Sequence, residues 1–146
     1  MTVQVKALDG TLLLQSATLV NYAESARRFD FNGPADDTAS GFIGVRGATL
    51  YSDSAGFGWQ ATVQEFERAA TAPSKTTKSL YRDGAKGGVG PAAAGTFQIK
   101  VSPSQYYNVR LYLGDAGAAH DQLYVAIEGS AVGGPLNTGL NTGYQT

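Results

Sequence analysis

FQIKVSPSQYYNVRLYLGDAGAAHDQLYVAIEG, residues 97–129, decides the fold class. Phe97, Ile99 and Val101 alternate with Gln98 and Lys100, and SPSQ at 102–105 is a turn. Tyr107, Val109, Leu111 and Leu113 then alternate with Asn108, Arg110 and Tyr112. A period of two is that of a strand with one buried face, so the pattern predicts a hairpin. After a loop over 114–122, Leu123, Val125 and Ile127 alternate with Tyr124, Ala126 and Glu128, which predicts a third strand. If both apolar rows face one core, Leu113 falls opposite Leu123 and Leu111 opposite Val125. Tyr112 and Tyr124 then pair on the outer face.

Working outward, Val3 and Val5 precede a turn at Asp9-Gly10 and a strand over 11–20. Further strands read around Phe29 and Phe31 and over 57–63 around Trp59. In ATVQEFERAA (61–70), Val63, Phe66 and Ala70 recur at helical spacing, yet 62–66 also fits alternation; a short helix and an irregular loop both remain open. The segments 32–41, 83–95 and 129–146 have the Gly, Ala, Pro and Asn content of loops. Seven or eight short strands so connected predict an all-β, antiparallel β-sandwich of jelly-roll type, with an up-and-down barrel as the alternative.

Composition narrows the function. The 146 residues suit a single domain, 1–146, and 42% hydrophobic residues with 16% charged ones predict a folded chain. With 11 basic against 12 acidic residues, the charge signature of a nucleic-acid or membrane-surface binder is missing. Nor does an apolar run approach the roughly 18 residues of a membrane helix. MTVQ at 1–4 opens neither a signal nor a transit peptide, so the expected chain is mature or without its leader. No Cys and one His exclude disulfide scaffolds, thiol catalysis and multi-histidine metal sites. The 19 glycines, about twice the ordinary usage, add tight turns.

FDFNGPADDTASGFIGV (29–45), LYSDSAGFGW (50–59), LYRDG (80–84) and YNVRLYLGDAGAAHDQLYVAIEG (107–129) together resemble the galactose-binding-like β-sandwich modules of large secreted bacterial proteins, also attached to rhamnogalacturonan acetylesterases and polysaccharide lyases. The resemblance spans about 28–129, and Asn32-Gly33 departs slightly from its FDFG step. It implies a non-catalytic, extracellular or cell-surface module that binds polysaccharide. Such modules continue past the EG strand with a V-x-V-x-D-G-x-L-x-L hairpin, and VQVKALDGTLLL (3–14) looks like that hairpin placed at the front. Residues 1–20 are therefore expected to close the sandwich, within the chain as in a permutant or in a second copy by strand donation. The loop-rich 130–146 is the tail. A surface filament or layer assembled from copies by strand exchange is the alternative function.

Aromatic rings pack on the C–H faces of sugars while Asp, Asn and Arg take the hydroxyls. Tyr112 and Tyr124 with Arg110 offer a sheet platform; Tyr51, Trp59, Tyr81, Arg82 and Asp83 offer a loop-end pocket. Trp59 in a GFGW turn also reads as core, and outward tyrosine pairs also serve the sheet alone. His120-Asp121 makes a poor catalytic pair, because adjacent residues cannot orient one another and no Gly-x-Ser-x-Gly elbow is present. Asp115, His120 and Asp121 are expected to lock the 114–122 loop by hydrogen bonds. Asp36, Asp37, Asp53, Asp83 and Asp115 supply loop oxygens, and the related modules often hold a structural calcium ion, so Ca2+ is a further expectation.

Overall fold

The computed structural model describes residues 2–7, 16–21, 24–35, 38–68, 80, 82–87, 95–115 and 117–139. Among them there is no α-helix, and twelve strands form. The larger sheet contains β1 (Thr2–Ala7), β5 (Phe57–Trp59), β8 (Gly95–Ile99), β10 (His120–Ile127), β11 (Ser130–Ala131) and β12 (Leu136–Thr138). Its order is β11-β10-β1-β8-β5, with β12 also on β10. The second sheet runs β4-β3-β2-β9, from β2 (Ser16–Asn21), β3 (Glu24–Phe31), β4 (Ile43–Val45) and β9 (Asn108–Tyr112). β6 (Gln64–Glu67) and β7 (Asp83–Lys86) form a separate hairpin. Among the described strands every strand–strand pairing is antiparallel except β3 with β4.

The two layers meet through aromatic rings. Phe97 of β8 is fully buried and lies edge-on to Phe31 at 4.9 Å and to Phe29 at 5.3 Å, both from β3. Trp59 of β5 closes the group at 5.0 Å from Phe97 and 5.2 Å from Phe31. Tilted and edge-on contacts at these spacings suit the ring quadrupoles and add to the area buried. Leu113, Leu123 and Val125 extend the same core toward β10.

The opening strands divide between the layers, β1 in the larger sheet and β2 in the smaller. β1 lies between β10 and β8, with Val3 opposite Ile127 and Phe97, and Val5 opposite Val125 and Gly95. β2 lies on β9, with Ala17 opposite Leu111.

The expected hairpins of 97–113 and 107–127 do not form. β8 and β10 belong to the larger sheet and β9 to the smaller, so both connections are arches that cross the core. Alternation reports a buried face and says nothing about which strand lies alongside; loops of this length can span the roughly 10 Å between layers. Two segments expected as loop contain strands, β7 in 83–95 and both β11 and β12 in 129–146. Within 61–68, the described part of that stretch, a strand forms, because β6 pairs with β7. The hairpin is anchored where Arg46 Nε and Nη2 grip Glu65 at 3.0 and 2.8 Å and the Gly47 N–H donates to the same carboxylate at 2.7 Å.

Replacing Phe97 by Ala removes the one ring that touches both β3 phenylalanines and Trp59. The variant is expected to lose about 3–5 kcal/mol of stability, read from urea unfolding midpoints at unchanged m-value.

Candidate functional site

The arch between β8 and β9 carries the most exposed large ring among the described residues. Pro103 and Ser104 turn the chain, with Ser104 at φ 59°, and the Tyr107 hydroxyl donates to the Ser102 carbonyl at 3.2 Å to close the arch. Tyr107 thereby packs against the core while Tyr106, its neighbour, is left 93% exposed. Because β1 is antiparallel to both β8 and β10, those two strands end at the same end of the sandwich. Ile127 and Glu128 therefore come up beside the arch. Together they enclose an open cavity of about 360 Å3, lined by Ser102, Ser104, Gln105, Tyr106, Tyr107 and Glu128 above Val101 and Ile127.

Two of these residues hold left-handed backbone. Glu128 (φ 51°) and Gly129 (φ 77°) are the two-residue connection of the β10–β11 hairpin, since Ile127 pairs with Ser130. Positive φ at both central positions is the type I′ pattern, which favours Asn-Gly and costs a Glu about 1–2 kcal/mol. A glutamate kept there, with Ser104 in the same conformation across the same cavity, is strain of the kind that collects at binding sites.

The residues singled out by sequence do not assemble as expected. Tyr112 lies half-buried opposite Ser16 on one sheet, and Tyr124, 37% exposed, lies opposite Lys6 on the other. The Tyr112–Tyr124 platform is therefore not formed; Arg110 is exposed on β9 opposite Thr18. Trp59 is 1% exposed and belongs to the core, out of reach of any ligand. Tyr81 lies outside the described residues, as do Asp36 and Asp37. Arg82 is half-buried and its carbonyl accepts the Arg68 N–H. Asp83 is 3% exposed, so its carboxylate offers nothing to a sugar. A second hollow of about 370 Å3, between β9 and the β10–β12 edge, is aliphatic apart from Arg110.

Asp83 is nonetheless chemically unusual. Its Oδ2 accepts the Gly33 N–H at 2.8 Å, and among the described residues its Oδ1 accepts no hydrogen bond. Burial, with the Asp30 and Glu67 carboxylates adding to it, raises its pKa to about 6. Asp115 shows the opposite balance. Burial disfavours its charge, but the Arg68 side chain, His120 and the Gly117 N–H at 2.7 Å hold it well below the usual carboxylate range. Arg68 donates to both carboxylate oxygens, from Nε at 2.7 Å and from Nη2; His120 Nε2 is 3.6 Å from Oδ2. Asp115 thus takes the Gly117 N–H inside the 114–122 loop and sits between His120 and Arg68, a cation just past β6 that sequence analysis did not name. Asp121 stands exposed in β10.

No three Asp, Glu or His side chains gather into a group that could hold a metal ion, among the described residues. Comparison with family models, with curated proteins and with solved structures finds no match for the chain.

Two outcomes follow from this geometry. Above pH 6 the buried Asp83 charge costs stability, whereas below 3.8 folded and unfolded chains both hold the proton, so the Asp83 contribution falls as pH rises between those values. Asp83→Asn keeps an acceptor for Gly33 and is expected to gain on the order of 2 kcal/mol at pH 7 and to flatten that slope, measured by urea unfolding from pH 3.5 to 7.5. Glu128→Asn is expected to raise stability by about 0.5–1 kcal/mol, measured the same way, by relieving the left-handed glutamate.

Proposed function

We propose that the chain is a non-catalytic, extracellular module that binds polysaccharide at the Tyr106 cavity. One observation carries the proposal: an almost fully exposed tyrosine ring stands beside an open cavity lined by serine hydroxyls, the Gln105 amide and the Glu128 carboxylate. A flat ring covers the C–H face of a pyranose, and donors and acceptors around it match the hydroxyls at its rim. The cavity lies at an end of the sandwich, where a polymer can pass across it, and the left-handed Ser104 and Glu128 hold its two walls in place. The resemblance of 28–129 to secreted sandwich modules points the same way.

Binding at one such shallow site is weak, and its use is proximity: a tethered enzyme or cell is concentrated on the glycan, and repetition multiplies the affinity into avidity. A non-enzymatic role is in keeping with Asp115 being engaged by Arg68, with His120 beside it at 3.6 Å. The competing function, assembly of copies by exchange of the first strand, predicts concentration-dependent polymers and no glycan binding.

Affinity electrophoresis through gels containing a panel of plant polysaccharides tests the proposal. The wild type is expected to be retarded as a monomer, Tyr106→Ala to lose at least tenfold in affinity, and Tyr112→Ala to behave as wild type. Wild-type migration unchanged by every glycan, or retardation undiminished in Tyr106→Ala, would overturn it.

A further inference from the structure

The hollow between β9 and the β10–β12 edge has the opposite chemistry to the Tyr106 cavity. Val109 and Leu111 form one wall from the smaller sheet and Val125 and Ile127 the other from the larger; among the described residues that line it, every one but Arg110 is aliphatic. The cause lies in how the space between the layers is filled. On the β5–β8 side the rings of Phe29, Phe31, Trp59 and Phe97 reach across it, whereas on the β9–β10 side shorter aliphatic side chains leave about 370 Å3. Protein interiors hold few voids larger than a water molecule, and a hollow of this size falls within the roughly 300–1,000 Å3 of small-molecule sites. β9 is the last strand of its sheet among the described strands, which puts the exposed Arg110 at the rim. The row it belongs to across that sheet, Arg110, Thr18 and Arg28, holds two cations and no acid.

Independently of glycan binding, we infer that this hollow takes the alkyl chain of a free, medium-length fatty acid, with the carboxylate held at the rim by Arg110. Aliphatic walls offer no hydrogen bond, so the group that enters must need none. A hydrocarbon meets that condition, while a peptide or a sugar would lose water from its amides or hydroxyls without a replacement. Val109, Leu111 and Ile127, half-buried at the margin of the core, complete their burial against such a chain. At about 30 Å3 for each methylene, close to the volume of one water, the hollow suits about ten carbons. A guanidinium pairs with a carboxylate through two parallel N–H donors, so Arg110 fixes both the head group and the direction of the ligand. A second copy of the chain fits less well, because two-fold contact sets hollow against hollow and Arg110 against Arg110.

The test titrates the wild type with hexanoate, octanoate, decanoate and 1-octanol at pH 8 and 20 mM salt, below micelle formation, by calorimetry and by the shifts of labelled Val, Leu and Ile methyl groups. Each added pair of methylenes is expected to tighten binding about tenfold. The methyl shifts are expected to concentrate on Val109, Leu111, Val125 and Ile127. Octanoate is expected to bind at least threefold more tightly than 1-octanol, and Arg110→Gln to remove that difference. Failure of decanoate to bind, affinity indifferent to chain length, or shifts confined to methyl groups outside the hollow would overturn the site. Equal wild-type binding of octanoate and 1-octanol, or a difference that persists in Arg110→Gln, would overturn the assignment of a fatty acid held by Arg110. Shifts of the same methyl groups on raising the protein concentration alone, with no response to any of the four ligands, would give the hollow to a second copy and overturn the proposal. None of these outcomes bears on glycan binding at Tyr106, which the gel assay reads separately.

Discussion

The placement of β1 between β8 and β10 is the constraint on which the rest of the structure depends. A strand in that position uses both of its edges, joining two segments that would otherwise be sheet edges. With β2 on β9, it leaves β8, β9 and β10 no need to pair with one another. β8, β9 and β10 then alternate between layers, and their connections become arches over a core of Phe29, Phe31, Trp59 and Phe97. Unpaired backbone groups in the middle of a sheet are costly, so this insertion and the aromatic core stabilise each other.

The arches are where the chain departs from regular structure, and its candidate chemistry follows them. In the first, one tyrosine is spent on closing the turn and packing, and the next is left in solvent. In the second, a buried carboxylate organises the loop by gripping an arginine 47 residues earlier in the chain. The two acids at these places do different work. Asp115 is charged and compensated, a structural tie; Glu128 occupies a strained turn position on the wall of an open cavity. Asp83 is a third case, a buried acid whose environment favours its neutral form.

Much of the fold was legible in the sequence because burial leaves a period-two trace. The all-β class and the strands at 97–101, 107–113 and 123–128 came from such local pattern. Which strand lies beside which left no local trace, since a hairpin and an arch alternate identically; the Tyr112–Tyr124 platform failed for that reason. Asp83 looked like a surface acid in a Gly-rich segment, and nothing nearby in sequence announces Gly33 as its partner. Tyr106 had a signal that was overlooked: it directly precedes the alternating run that Tyr107 begins, so the pleat gives it no place in the core.

Cross-strand proton contacts in an isotopically labelled sample test the insertion of β1 most directly. Contacts from the Gln4 amide and α protons to both Ala126 and Thr96, with none joining Leu111 to Val125 through their backbones, are what this architecture requires. Backbone contacts between residues 109–113 and 123–127, with Gln4 touching neither Ala126 nor Thr96, would restore the simple hairpin and contradict it.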